Sequence, residues 1–287
     1  MTKTAKRTRS VICTIVSFVM SLSITLTVLC ATLSLTALNP TFAVKTAMHS
    51  EYSEHLSAEL KEEFVSFGNA CNVDAAFFDS IFTDVITTES IDRDTEAVLR
   101  EFYAGQVQAK RDTAALEDAL FTRLQAYAVE KGFTLSDEVN ENLRGIASEL
   151  CDVYNAYVSV FSMSVFKTAS RLLAKYRPFG WYAAAAGAVL FAVSAVILRL
   201  YFQKKKNYLR YFIYAFSAAA LMLLTAPLIA LITDIGGGIN ISNASLYDFA
   251  TGMMNGVLGS IAASAAVPAL LTVLLSLVRH NAVKNNR

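Results

Sequence analysis

Between Ser136 and Arg177, apolar residues recur at Val139, Leu143, Ile146, Leu150, Val153, Tyr157, Val160, Val165 and Leu172, mostly three or four apart. That spacing gathers them into one stripe on a helix and predicts a long stem with one buried face. Four other stretches are apolar on every side, so no stripe can be drawn on them: Val11–Leu38, Trp181–Phe202, Tyr211–Thr233 and Gly252–Val278. Each supplies the ~20 residues that a helix needs to cross the hydrocarbon of a bilayer. The pattern predicts an all-α membrane protein with four transmembrane helices and an extracytoplasmic helical-bundle domain between the first and second. The expected division is a basic cytoplasmic leader (1–10), transmembrane helices (11–38, 179–202, 211–234 and 251–278), an extracytoplasmic helical domain (39–178), a cytoplasmic turn (203–210), an extracytoplasmic loop (235–250) and a cytoplasmic tail (279–287).

Within the outer domain, Met48, Tyr52, Leu56, Leu60 and Phe64 fall every fourth residue and predict a first helix over Val44–Phe67. Asn72-Val73-Asp74 then starts a short apolar helix carrying Phe77, Phe78, Ile81, Phe82 and Val85. A third helix is expected over Arg93–Tyr103 and a fourth over Asp112–Lys131, with Ser136-Asp137-Glu138 capping the stem. Gly68, Gly105 and Gly132 are expected at helix ends. Pro178 and Gly180 are expected to interrupt the stem before the second span. No stretch alternates long enough to argue a strand.

Composition sharpens the membrane reading: 54% of the residues are apolar, which is too many for an ordinary soluble enzyme. The net charge of +1 conceals a segregation. Between Val44 and Pro178 lie 22 of the 24 acidic residues and 13 of the 25 basic ones, giving that piece a charge of 13 − 22 = −9. The remaining cations, among them Lys3, Lys6, Arg7, Arg9, Lys204, Lys205, Lys206, Arg210 and Arg279, cluster at the termini and in the 203–210 turn. Short basic pieces stay in the cytoplasm, so both termini are expected inside and the acidic domain outside. The first apolar run is 28 residues long. Signal-peptide cores run to roughly 7–15 residues, so an uncleaved signal anchor is expected.

Candidate chemistry is sparse. Cys71 and Cys151 lie in the outer domain, where a disulfide closing a loop of about 80 residues would stabilise by ~4 kcal/mol. His49, Glu51, Glu54 and His55 share a helix face, read as solvated because no recognised zinc spacing completes it. Asp234, ahead of Gly236-Gly237-Gly238, and Asn255 are the polar candidates near membrane depth, read as an interfacial acid and as helix glue. Gly252, Gly256, Gly259, Ala262 and Ala266 form an expected helix-packing face. Ser17, Ser21 and Thr25 are expected to bond carbonyls of their own helix at a close helix contact. Trp181 and Tyr182 mark one interface, Tyr201, Tyr208 and Tyr211 the other. Pro227 and Pro268 are potential kinks, and Arg199 can reach the headgroups. The chain has no H-E-x-x-H, G-x-S-x-G, P-loop or G-x-G-x-x-G pattern, so no metal, cofactor or enzymatic activity is expected. An acidic domain and membrane-hugging cations also argue against nucleic acid as a partner.

With its basic leader, a first span ending Leu38-Asn39-Pro40, an outer helical domain and three clustered spans, the layout resembles bacterial, Gram-positive-type, four-span membrane proteins to which no function has been assigned. The resemblance transfers no active site. The outer part also resembles helical sensory domains of membrane receptors, without their cytoplasmic output domain. The expectation is a non-enzymatic integral membrane protein whose outer helical domain binds a partner or ligand. Its partners would be the lipid bilayer and a protein, or further copies, met through the membrane helices. The alternatives are an accessory or pore-lining subunit of a transport complex, and an enzyme with an intramembrane site at Asp234 and Asn255.

Overall fold

The computed structural model describes residues 3–108, 111–202, 205–238 and 240–284; the side chains of 3–9, 165, 205–207 and 282–284 lie outside that description, and with them Val165 and most of the basic leader and turn. It is 85% helical, with no strand among the described residues. Among the described residues, four stretches are long and apolar enough to cross a membrane: Ser10–Leu35, Phe166–Tyr201, Tyr208–Thr233 and Ala244–Asn281. The chain forms two compact units. One, here the apolar unit, comprises Met1–Asn39, Tyr176–Ile239 and Met253–Arg287; the other, the helical unit, comprises Pro40–Lys175 and Asn240–Gly252.

The helical unit contains α2 (Pro40–His49), α3 (Tyr52–Ala70), α4 (Ala75–Asp84), α5 (Thr88–Ala104), α6 (Ala114–Glu130), α7 (Asp137–Val158), a 3-10 turn at Val160–Ser162 and the opening turns of α8 (Ser164–Tyr201). α3 is its axis: Tyr52, Leu56, Leu60 and Phe64 are all buried and meet Phe78 and Ile81 of α4, Leu99 of α5, Leu124 of α6 and Leu150 of α7. Caps set several boundaries. Thr87 Oγ1 accepts from Ser90 N at 3.3 Å, so α5 starts at Thr88, ahead of the expected Arg93. Ser136 Oγ accepts from Val139 N at 3.2 Å and opens α7 as its sequence suggests. Gly105, at φ 75°, closes α5 in the left-handed conformation that glycine adopts without strain.

Three expectations are corrected here. The first helix is two, α2 and α3, because Glu51 takes φ 56° between them. The turn rotates the stripe, so Ala43, Val44 and Ala47 are buried while Met48 is 47% exposed. Gly68 is no helix end: it lies inside α3, where a Cβ would stand 2.2 Å from Phe78 Cε2. The stem breaks at 159–163, where Val160 and Phe161 are both turned into the core, and Phe161 packs its ring at 5.5–5.7 Å from Phe102, Phe166 and Phe249. Past that turn α8 continues as one helix through Pro178 and Gly180, the residues expected to interrupt it.

In the apolar unit, α1 (Lys3–Leu35) and α11 (Ala266–Lys284) pack against α9 (Lys205–Thr233). α1 uses hydroxyls on both sides. Ser21 and Thr25 bond carbonyls of their own helix at 2.7 and 2.9 Å, while Ser17 donates to Tyr211 O of α9 at 2.8 Å and Thr25 touches Met222 Sδ at 3.6 Å. The opposite contact is with α8, whose Gly180 and Gly187 lie so close that a Cβ on either would stand 2.3 Å from Ser34 Oγ or 2.5 Å from Thr27 Oγ1. Gly180 is thus a contact residue, which is why a helix-breaking residue type sits within a continuous helix. Trp181 and Tyr182 are exposed, and Arg199 donates to Tyr208 Oη at 3.1 Å with its guanidinium over the ring.

The fourth span is two helices, α10 (Ala244–Ser264) and α11, parted at Ala265 where Pro268 in the next turn has no N–H to donate. Pro227, by contrast, lies within unbroken α9. The expected small-residue face does not act as one surface. Gly252 approaches Thr46 of α2 and Ser50 just after it within the helical unit, while a Cβ on Gly259 would meet nothing within 4 Å and Ala266 is exposed. α10 packs instead through Val257 and Ile261, and the chain just after it through Ala265, against Leu223 of α9 and Val28, Leu29 and Leu33 of α1.

Candidate functional site

Residues 52, 56, 59 and 63 of α3 lie three or four apart, and with His55 beside them share one side of the helix. That side receives Asn240–Gly252, expected to be loop as far as residue 250, whose residues from Ala244 on are the first turns of α10. Leu246 and Phe249 pack against the core of the helical unit, and the Phe249 ring lies 5.8 Å from that of Tyr52. Glu59 holds the helix start: Oε1 accepts from Ser245 N at 3.2 Å and Oε2 accepts from Ser245 Oγ at 2.7 Å. A carboxylate there satisfies an amide that has no partner within its own helix and faces the positive end of the helix dipole. One turn earlier on α3, His55 Nδ1 bonds Asp248 Oδ2.

The docked segment closes one wall of a cleft of about 190 Å³, lined by Tyr52, Leu56, Ala156, Tyr157, Val160, Met163, Asn243, Ser245 and Leu246. Tyr52 is 1% exposed. Burial first, and the nearby Glu59 second, push that phenol well above the usual tyrosine range. Tyr157 Oη donates to Glu63 Oε1 at 3.2 Å and is also raised, by burial first and then by Glu63, with Glu59 and Glu62 adding to it. Among the described residues, no lysine, arginine or histidine lines the cleft. The arrangement is a small apolar hollow with two phenols inside and carboxylates behind them.

A second polar group sits deeper in the unit. Tyr154 Oη donates to Asp94 Oδ2 at 2.6 Å, and burial followed by that bond pushes its phenol up. Asn155 accepts from Arg111 N at 3.2 Å and donates to Thr113 Oγ1 at 3.4 Å. These bonds fasten the chain between α5 and α6 to α7.

The residues singled out by sequence lie apart from the cleft. No bond joins Cys71 to Cys151, the candidate disulfide pair. Cys71 sits in the turn after α3, and Cys151 is buried on α7 with its thiol toward Thr113 O at 4.0 Å, so each serves the packing of its own element. Asp234 is exposed at φ 44°, where Oδ1 accepts from Gly237 N at 3.3 Å and closes the turn after α9. Asn255 is exposed on α10, and among the described residues no contact joins it to Asp234. His49 Nδ1 bonds Lys45 O at 2.7 Å while His55 goes to Asp248, and no group of three metal-ligating side chains forms among the described residues. Sequence reasoning missed Ser245, Leu246, Asp248 and Phe249. Their signal was slight: two apolar residues three apart and one of only two acids outside 44–178, just before a span. Comparison with known proteins finds no family model, no curated relative and no solved structure that matches the chain.

Proposed function

We propose that the chain is a non-enzymatic integral membrane protein of the cell membrane, both termini cytoplasmic, whose helical unit lies outside and binds a partner or ligand in the cleft between α3, α7 and the docked 240–252 segment. One observation carries this reading. The cleft is walled partly by residues of the segment that links two membrane-spanning helices, so an occupant there touches chain leading directly into α10. The orientation rests on charge: the acidic piece and the basic short pieces fall on opposite sides under the positive-inside rule. Weighing against the pore-lining alternative, the hydroxyls of Ser17, Ser21 and Thr25 are engaged by carbonyls of α1 and α9.

The test is photo-crosslinking of the full chain in its own membrane, with a photoreactive residue at Met163, which is 56% exposed at the rim. A discrete adduct that disappears when Ala156→Trp fills the cleft is the expected result. An adduct indifferent to Ala156→Trp, or none at all, overturns the reading.

A further inference from the structure

We propose that the apolar unit, at the end where α8 meets α9, binds the phosphate of an anionic phospholipid through Arg199 and Arg210. This site is independent of whatever fills the cleft. Each arginine is held by a tyrosine and by no acid. Arg199 Nη1 donates to Tyr208 Oη at 3.1 Å from one helix to the other, with its guanidinium 5.5 Å from the centre of that ring. Arg210 Nε donates to Tyr214 Oη at 2.6 Å one turn along α9, 5.3 Å from the ring centre. A guanidinium carries five N–H donors. Among the described residues neither arginine has a further hydrogen-bond or ion-pair partner, so most of those donors are free. On Arg210 both Nη groups are free, and they form the flat edge that can meet two oxygens of one phosphate.

The protein supplies no counter-charge at this end. Asp234 is the one acidic residue in the sequence of the apolar unit, 234 − 210 = 24 residues past Arg210. Along a helix that is about 36 Å, whereas physiological salt screens charges beyond ~8 Å. The two positive charges are left for a group outside the chain. Their surroundings favour a lipid over a free anion. Both arginines are exposed. Val196, one turn before Arg199, is an exposed apolar residue, as is Leu221, which follows Arg210 and Tyr214 on the same face of α9. An acyl chain lying along either helix covers these residues while its phosphate meets the arginine. A free phosphate covers none of them.

Native mass spectrometry of the detergent-solubilised full chain tests this, with phosphatidylglycerol and phosphatidylcholine of identical acyl chains supplied in equal amounts. Phosphatidylglycerol is expected to be retained about fivefold over phosphatidylcholine for each arginine engaged. Arg199→Gln and Arg210→Gln should each reduce that preference about fivefold, and the double variant should abolish it. Arg199→Lys keeps the charge without the flat edge and should lower the preference by a smaller factor. If a glutamine variant is lost to misfolding, this lysine variant carries the test, and an undiminished preference in it overturns the proposal. Arg123→Gln, on the helical unit and paired with Asp84, is the control and should change nothing. Equal retention of the two lipids, or a preference that survives the double change, overturns the proposal. An equal loss in Arg123→Gln does the same, because it reduces the effect to net charge. Excess inorganic phosphate should leave the lipid bound; displacement by it overturns the assignment to a lipid in favour of a free anion.

Discussion

A methyl group at Gly68 would sit 2.2 Å from a ring carbon of Phe78, which is fully buried and has nowhere to turn. Alanine gains about 1 kcal/mol of helix propensity over glycine, while overpacking a filled core costs about 1–3 kcal/mol. The packing term wins, so Gly68→Ala is expected to lower stability, read as an earlier midpoint in chemical unfolding. Gly145, within α7 with nothing within 4 Å of its added Cβ, is the control and should tolerate alanine with a slight gain. Tyrosine chemistry gives a second test. Tyr52 and Tyr154 both have folded pKa values raised above the ordinary phenol, chiefly by burial. A raised pKa means the fold keeps the proton longer than the unfolded chain does. Their contribution is therefore complete below about pH 10 and is lost as pH climbs above it. In alkaline spectrophotometric titration, Tyr52 and Tyr154 should ionise late, and Tyr154→Phe should lower the number of late-ionising phenols by one. Unchanged phenolate counts in that variant would show that Tyr154 is not the protected group.

At the scale of elements, periodicity served well wherever a helix is amphipathic through its length. The stripe from Tyr52 to Phe64 is the core of the helical unit, and Ser136 caps α7 because a serine oxygen is what the free amide at Val139 needs. The failures have one cause. A three-four spacing continues smoothly across a turn, so neither Glu51 between α2 and α3 nor the buried Val160–Ser162 turn interrupts the pattern of letters. Pro178 and Gly180 misled in the opposite direction, since glycine at a tight helix contact looks the same in sequence as glycine at a break. The cleft was the least legible part. Glu59 meets Ser245 across 186 residues, and periodicity reports which face is buried without saying what buries it. The docked segment yields its own prediction. Ser245→Ala removes a charge-assisted bond of about 1.5–3 kcal/mol, and should speed amide exchange across 244–252 while leaving α4 and α6 unchanged. Asp248→Asn, which weakens the His55 pair at the half-exposed edge, should do so to a smaller degree. Equal acceleration throughout the unit would mean that Ser245 supports the whole fold and not the docking alone.

Four apolar helices and an acidic helical unit settle the class of molecule without settling which way it faces. Charge supplies the direction. Of the 25 lysines and arginines, the 12 outside 44–178 lie at the termini, near the ends of spans and in the turn between α8 and α9, with no acidic residue among them in those short pieces. Each such cation resists crossing the bilayer, and orientation follows the side on which they are retained. An even number of spans then returns the chain to the side on which it began. Under the proposed topology the Asn39–Lys175 stretch faces the opposite side, together with the segment that Glu59 and His55 hold. This is checked with single cysteines in a chain whose four native cysteines are replaced by serine or alanine. Glu138→Cys, at the exposed start of α7, should react with a membrane-impermeant maleimide in intact cells; His280→Cys, exposed near the end of α11, should react only after permeabilisation. The reverse pattern would place the cleft in the cytoplasm. Replacing Lys204, Lys205, Lys206 and Arg210 with glutamine should blur the distinction, producing a mixed population, because it removes the retained charge between α8 and α9 and leaves the spans untouched.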